Sequence, residues 1–260
     1  MIYNRSVLFF ISILLFYSCR KAAVCHDIEV FGHAAMGLSM PNSGFNANSM
    51  EAINLASEFE ILKGIELDVR ISKDGELWLF HDDFLEDETT GSGCLEETTS
   101  DDLETFHYKS IHKEKLVKLS SITFDSSKTY FLDLKFYNSC QEILVDINTF
   151  KQKLDLLAKS NLILILPTKD LYPYFSLDYN CVLSSDNIEL IRQEFNTNDW
   201  YGVAIRNSKI SAEVVQEYVS NGNRVYLYDI RSPKGTLNAI KKKPTGIITD
   251  DVIAAQSICK

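Results

Sequence analysis

The stretch Gly64–Asp83, GIELDVRISKDGELWLFHDD, decides how this chain is read. It begins with the two-residue alternation of a strand. Ile65, Leu67, Val69 and Ile71 share one face, and Glu66, Asp68 and Arg70 share the other. Ser72-Lys73-Asp74-Gly75 then supplies residues that tolerate tight turns and positive φ. The chain returns as Leu77-Trp78-Leu79-Phe80 and ends in His81-Asp82. So short a connection joins antiparallel strands only. If Ser72 faces Gly75, His81 lies across from Glu66 on the same face. A bulge in the turn slips the register by one and presents Asp82 instead. In either register two carboxylates meet a His–Asp pair, and apolar strand neighbours exclude water around them.

Strand and helix patterns alternate outward from this hairpin through 28–260, with no low-complexity linker and no internal repeat. Strands are expected at Ile28–Phe31, Glu66–Ile71, Leu77–Phe80, Tyr130–Leu134, Leu162–Leu166, Cys181–Leu183, Tyr201–Ile205, Val225–Tyr228 and Gly246–Ile248. Leu162–Leu166 is apolar throughout, as in a parallel strand buried on both faces. A helix is expected from Asn48 or Ser49, a short one capped at Ser100, and a long one from about Cys140 to Lys159. The strand at 77–80 is the antiparallel arm of the hairpin. The eight others make the count of an α/β (β/α)8 TIM barrel, a fold of ~250 residues. Such a barrel carries its site at the C-terminal strand ends. His33, Glu66, Asp68, Asp133, Lys135, Arg206, Asp229 and Asp250 all fall there.

Composition narrows the class further. The 260 residues are 45% apolar, enough for a large core, and 24% charged, with a net charge of −10. An acidic body argues against non-specific nucleic-acid binding, which runs on phosphate neutralisation. Lys241-Lys242-Lys243 reads as a solvated helix end. At the amino terminus Arg5 precedes an apolar run, Val7–Tyr17. That run is shorter than the ~20 residues of a membrane span and reads as a signal sequence. It closes on Leu15-Phe16-Tyr17-Ser18-Cys19, which resembles a bacterial lipobox. The expected organisation is a signal peptide at 1–18, a lipid-anchored segment at 19–27 beginning with acylated Cys19, and a barrel at 28–260. The alternative is an ordinary secretory signal cut near Ala22 or Ala23. The first places the protein outside the cytoplasm, on a membrane of the bacterial cell envelope. Of six cysteines none forms C-x-x-C, so a zinc or thioredoxin-like site is not indicated. Five cysteines remain after Cys19, an odd number, and Cys25–Cys259 is one possible bridge between barrel termini.

ELDVRISKDG followed by FHDD and TTGSG resembles the glycerophosphodiester phosphodiesterase family, a branch of the phosphatidylinositol-phospholipase-C-like barrels. The family pattern is a His ending the first strand, E-L-D ending the second, a hairpin ending in H-D, an acid-x-Lys strand and a final G-I-I-T-D. Here these are His33 in FGHAAMG, Glu66 and Asp68, His81 and Asp82, Asp133 and Lys135 in FLDLK, and GIITDD at 246–251. The resemblance implies metal-dependent hydrolysis of a glycerophosphodiester to glycerol 3-phosphate and an alcohol. It implies His33 and His81 as the acid and base. The chain departs from the family at Ala34, where arginine is usual, at Ala47, where an acid is usual, at Asp133 for glutamate and at Tyr228 for tryptophan.

The residue chemistry agrees with that implication. Three carboxylates this close, Glu66, Asp68 and Asp133, repel unless a cation sits among them, and hard oxygen donors suit Ca²⁺ or Mg²⁺. Pairing with Arg70 or Lys135 is the alternative. Histidine titrates near neutrality, as a proton shuttle requires, and Lys135 can neutralise charge developing on phosphate. Arg206, Tyr228 and Asn48 are the expected substrate contacts, with Arg206 or Arg70 standing in for the missing arginine. The expected partner is a small-molecule phosphodiester. A second reading keeps the scaffold as a lipid-anchored binding protein for phosphorylated head groups or glycans. A glycoside hydrolase using two carboxylates fits less well, since paired histidines have no part in that chemistry.

Overall fold

The computed structural model describes residues 25, 27–38, 43–157 and 160–259. The signal segment, Cys19 and His26 lie outside them. Eight parallel strands close into a (β/α)8 barrel: β1 (Glu29–Gly32), β2 (Leu62–Ile71), β5 (Thr129–Leu134), β8 (Leu162–Leu166), β9 (Asn180–Ser184), β10 (Gly202–Arg206), β11 (Val225–Ile230) and β12 (Gly246–Thr249). Closure comes from β1, which pairs with β12 on one side and β2 on the other. Helices cover the outside; the first, Met50–Ser57, starts where Ser49 accepts the Ala52 N–H. No helix among the described residues is long and apolar enough to cross a membrane.

The alternation along each strand sorts side chains between two cores. One set, including Leu67, Val69, Leu132, Leu164 and Leu227, packs outward against the helices. The other turns inward, where Phe31, Phe131 and Tyr226 meet edge to face with Ile163, Ile165, Val182, Ala204 and Ile248. Phe131 is two residues before Asp133 and in register with Glu66. The three rings therefore plug the barrel directly beneath the carboxylates.

The hairpin adopts the slipped register. Arg70 pairs with Trp78, and Ser72 N–H donates to Glu76 O, so the loop holds three residues with Gly75 at φ +83°. Phe80 N–H donates to Asp68 O, after which the chain leaves the ladder. That alignment sets Asp82, and not His81, level with Glu66. Both reach the site from the loop after β3 (Leu77–Leu79), which also pairs with β4 (Val117–Lys118).

Two further expectations are corrected. The long helix from Cys140 is replaced by a small hairpin, β6 (Tyr137–Asn138) with β7 (Ile143–Leu144), and a helix only at Ile147–Leu154, capped by Asp146. Cys140 lies in the hairpin turn because it is bonded to Cys94; Cys25 and Cys259 form the other disulfide and Cys181 is free and buried. Lys242 is no solvated helix end. Its ammonium donates to the carbonyls of Asn207 and Ile210, tying the helix end to the preceding loop.

The aromatic plug should carry a large share of stability. Phe131→Ala is expected to lower the unfolding free energy by about 3–5 kcal/mol, read from urea denaturation, because neighbouring strands cannot collapse into the space. A loss below ~1 kcal/mol would mean that the rings are not packed as described.

Candidate active site

Backbone register brings the acids together. Asp68 on β2 lies beside Asp133 on β5, with Glu66 one inward step below. One oxygen from each of Glu66, Asp68 and Asp133 lies within 4.8 Å of the others. Glu66 and Asp68 are buried, Asp133 half-buried. Glu66 Oε2 accepts the Ala34 N–H at 2.8 Å. Asp68 Oδ2 accepts from the Asn48 amide at 2.9 Å, while Asn48 Oδ1 accepts the Asp68 N–H. Lys135 donates to Asp133 and lies 2.9 Å from Asp68 Oδ1, an ion pair without hydrogen-bond alignment.

The histidines approach from two sides. His33 follows β1; its Nδ1 donates to Asp250 Oδ1 at 2.9 Å, and its Nε2 lies 3.7 Å from Glu66 Oε2. Asp250 Oδ1 also accepts the Leu38 N–H. His81 Nδ1 is 2.7 Å from Asp82 Oδ1. The loop carrying His81 is held by Arg70, which donates to the His81 carbonyl, Asp83 and Glu96.

These neighbours shift the titrations in both directions. Burial pulls His33 down, but the Asp250 hydrogen bond and the charges of Glu66 and Asp250 outweigh it, and the group is pushed up to about 9. The Asp82 hydrogen bond raises His81 against the opposing effect of burial. Burial and the adjacent Asp68 charge push Glu66 up to about 8. Burial would raise Asp68 too, yet Lys135 and the histidines hold it well below the usual carboxylate range. Burial, then the Asp82 charge, pushes Glu88 up to about 7. Carboxylates with opposed titrations side by side mark a place where charge is held ready.

A cavity of about 1000 Å³ opens over this cluster, lined by His33, Glu66, His81, Asp133, Lys135 and Arg206 among others. Tyr228 lines it as well, with the Arg206 guanidinium 5.5 Å from its ring. Arg206 is also bound to Asp186. Asn48 does not face substrate as expected; buried, with both amide atoms on Asp68, it positions that carboxylate. Arg70 is likewise consumed, by buried Glu96 and exposed Asp83, and cannot supply the missing phosphate clamp. Ala34, where that arginine would be, is fully buried with φ +44°. Arg231, not singled out from sequence, reaches the mouth: its Nε is 2.8 Å from Asp229 and 3.9 Å from Asp250. Its only signal was position, one residue beyond a strand end.

The residues present fit a hard divalent cation. Glu66 Oε1 is buried without a hydrogen-bond donor, Asp68 Oδ1 has only the Lys135 ammonium that Asp133 shares, and three carboxylates offer converging oxygen ligands.

A closed (β/α)8 barrel whose strand ends gather acids, histidines and a lysine around one cavity has the layout of a barrel enzyme. The model of the glycerophosphoryl diester phosphodiesterase family matches residues 33–170, just over half of the chain. The chain belongs to that family and is a phosphoric diester hydrolase; the family is divalent-metal dependent. Solved structures share the fold. A glycerophosphoryl diester phosphodiesterase from Parabacteroides distasonis is 19% identical with a TM-score of 0.70, over 90% of this chain and 87% of that one. One from Thermotoga maritima is 19% identical with a TM-score of 0.71, over 90% and 98%. An Oleispira antarctica phosphodiesterase, solved in complex with the product sn-glycerol-3-phosphate, is 17% identical with a TM-score of 0.68, over 88% and 96%. Among curated proteins, none matches this sequence.

The field of the carboxylates gives a measurable signature. With EDTA present, His33 should titrate near 9, above its ordinary 6.5. Because the folded-state value is raised, the stability it adds is complete below pH 6.5 and lost as pH rises through about 9. A divalent cation among Glu66, Asp68 and Asp133 cancels that field, so added Mg²⁺ or Ca²⁺ should lower the His33 titration and raise the melting temperature. Imidazole NMR titration and thermal melting read the two effects. The change Glu66→Ala/Asp68→Ala should abolish the thermal rise; indifference of wild type to EDTA and to both ions would count against a metal site.

Proposed function

We propose that this chain hydrolyses a glycerophosphodiester to glycerol 3-phosphate and an alcohol, using His33 and His81 for the two proton transfers and one divalent cation, Ca²⁺ or Mg²⁺. The observation that carries the reading is the convergence of two carboxylate-oriented imidazoles on one cavity with an acid cluster that has unsatisfied buried oxygens.

Asp250 and Asp82 each take the Nδ1 side of an imidazole. That leaves Nε2 of His33 and of His81 as the atom presented for proton transfer. One imidazole in its neutral form accepts at Nε2 the proton of the attacking water, whose oxygen bonds to phosphorus as the bond to the leaving alkoxide breaks. The other, as imidazolium, donates from Nε2 to the leaving alkoxide. A carboxylate on Nδ1 favours the imidazolium form in the group that donates. Glu66, Asp68 and Asp133 would hold the cation, which when bound binds and polarises phosphate and hydroxyl oxygens. Lys135, aligned by Asp68 and Asp133, meets negative charge as it builds on the phosphoryl group. Arg206 and Arg231, at the mouth, complete the anion-facing side, and Tyr228 supports Arg206.

The reading extends to location. Two disulfides in the described residues suit an oxidising compartment, as does an amino-terminal run ending at Cys19. We take 1–18 as signal, 19–27 as a lipid-anchored segment and 28–260 as the barrel, held at a membrane of the cell envelope. Mass spectrometry of the natural amino terminus should find acylated Cys19; an unmodified start at Ala22 or beyond would sink this part.

For the chemistry, His33→Ala and His81→Ala should each lower kcat on glycerophosphodiesters by ~10²–10⁴-fold, with affinity changed far less. The double variant should lose little more than either single one, because the two groups serve one reaction. Metal-dependent binding of a glycerophosphodiester without turnover that depends on these histidines would instead favour the binding-protein reading.

A further inference from the structure

The catalytic cavity is lined by large apolar side chains as well as by acids and histidines. The segments that follow β5 and β8 contribute Phe136, Tyr137, Leu144, Leu171 and Tyr174 to its wall, together with Thr168 and Asp170. Phe136 and Leu171 are buried at the base, but three side chains at the rim are not: Tyr137 is 47% exposed, Leu144 64% and Tyr174 46%. Large apolar side chains kept in water around a concave site mark a binding surface. A volume near 1000 Å³ also lies at the upper end of what encloses a drug-sized ligand, about 300–1,000 Å³. A deacylated diester, polar along its whole length, has nothing to place against this wall.

The wall is held in place by the chain around it. The Cys94–Cys140 disulfide fastens the β6–β7 turn to the segment carrying Glu96. Asn138 donates to Glu97 Oε1 at 2.6 Å, and Val145 N–H to Phe136 O at 3.0 Å. Arg70 donates to the Tyr137 carbonyl at 3.4 Å and, through its other amino group, to the carbonyl of His81. The same guanidinium thus fixes a candidate acid–base residue and the apolar hairpin. Lys135, the cation beside the acid cluster, is followed directly by Phe136 and Tyr137. A phosphate beside Lys135 therefore has the apolar wall as its neighbour on that side.

Resting on the hydrolase reading above, we infer that the preferred substrate is a phosphodiester bearing a single alkyl or acyl chain, with that chain lying on Tyr137, Leu144 and Tyr174. The wall is continuous with the reacting site, so its occupant is part of the substrate. Each methylene moved from water onto such a surface strengthens binding up to about fourfold.

The test compares glycerophosphocholine with lysophosphatidylcholines of increasing short chain length, all below their micelle concentrations. Wild type should show kcat/KM rising with chain length. Leu144→Asp/Tyr174→Ser, checked for folding by its melting curve, should lower the ratio of chain-bearing to chainless kcat/KM by about tenfold or more. The milder Leu144→Ser should lower it in the same direction, and Ile253→Ser, an exposed apolar residue outside the cavity, should not. A ratio indifferent to chain length, or unchanged in the double variant, would overturn the inference. If no diester is turned over, the hydrolase reading fails and thermal melting decides the subsite. Monomeric dodecylphosphocholine should then raise the wild-type melting temperature more than choline phosphate does, with the difference lost in the double variant. No difference in wild type would overturn it.

Discussion

Glu66 and Asp68 are ionisable groups taken out of water at the barrel mouth, and much of the local structure exists to hold them there. An unpaired buried charge is costly, so each has acquired partners. The Ala34 N–H is turned onto Glu66 by two successive alanines at φ +44° and +75°, a conformation that alanine rarely adopts. Asn48, at φ +59°, clamps both the side chain and the backbone of Asp68. Non-glycine residues in this region cost on the order of 1–3 kcal/mol each and persist where the surroundings over-determine them. Below, the Phe31–Phe131–Tyr226 plug keeps the floor dry. Even so, Glu66 Oε1 has no donor, and Asp68 Oδ1 has only the Lys135 ammonium that Asp133 shares. The fold stops short of satisfying the cluster, which leaves room for a cation to do so.

The hairpin turns this cluster into a site. β2 continues beyond the end of β1, and β3 takes over that side of its ladder: Glu66 O accepts from Ala35, and Asp68 O from Phe80. The segment after β3 is thereby delivered next to the end of β1, bringing His81 to the cavity that His33 already borders. Arg70, one step along the same strand face, gathers Glu96, Asp83, the His81 carbonyl and the Tyr137 carbonyl around one guanidinium. A loop that would otherwise be anchored only at its ends is pinned at its functional residue.

How much of this was legible follows from the range of each signal. The eight barrel strands show as alternation or as apolar runs, so all were placed within a few residues. Glu66 and Asp68 on one face followed from the same alternation. The hairpin register depended on a single turn residue: Gly75 at φ +83° adds the residue that sets Asp82 level with Glu66. The apolar spacing after Cys140 does contain a helix, Ile147–Leu154. Strands of two residues are too short to show a period, however, and the Cys94–Cys140 bond is a non-local fact. The task of Asn48 was hidden for the same reason, since its partner lies twenty residues away across the barrel end.

Charge at the mouth constrains what can enter. Asp229, at φ +62° and next to last in β11, faces both Arg206 and Arg231, while Asp186 takes a second share of Arg206. Lys135 is divided between Asp68 and Asp133, and Arg70 is buried among Glu96 and Asp83. Every cation on the cavity wall thus already faces carboxylates, and no arginine follows His33. An anionic diester approaching this mouth meets acids whose field the protein's own cations do not overcome. Binding therefore needs either a cation among Glu66, Asp68 and Asp133 or a contribution that is indifferent to charge. The carboxylate cluster offers a place for the first, and the exposed side chains of Tyr137, Leu144 and Tyr174 at the cavity rim offer the second.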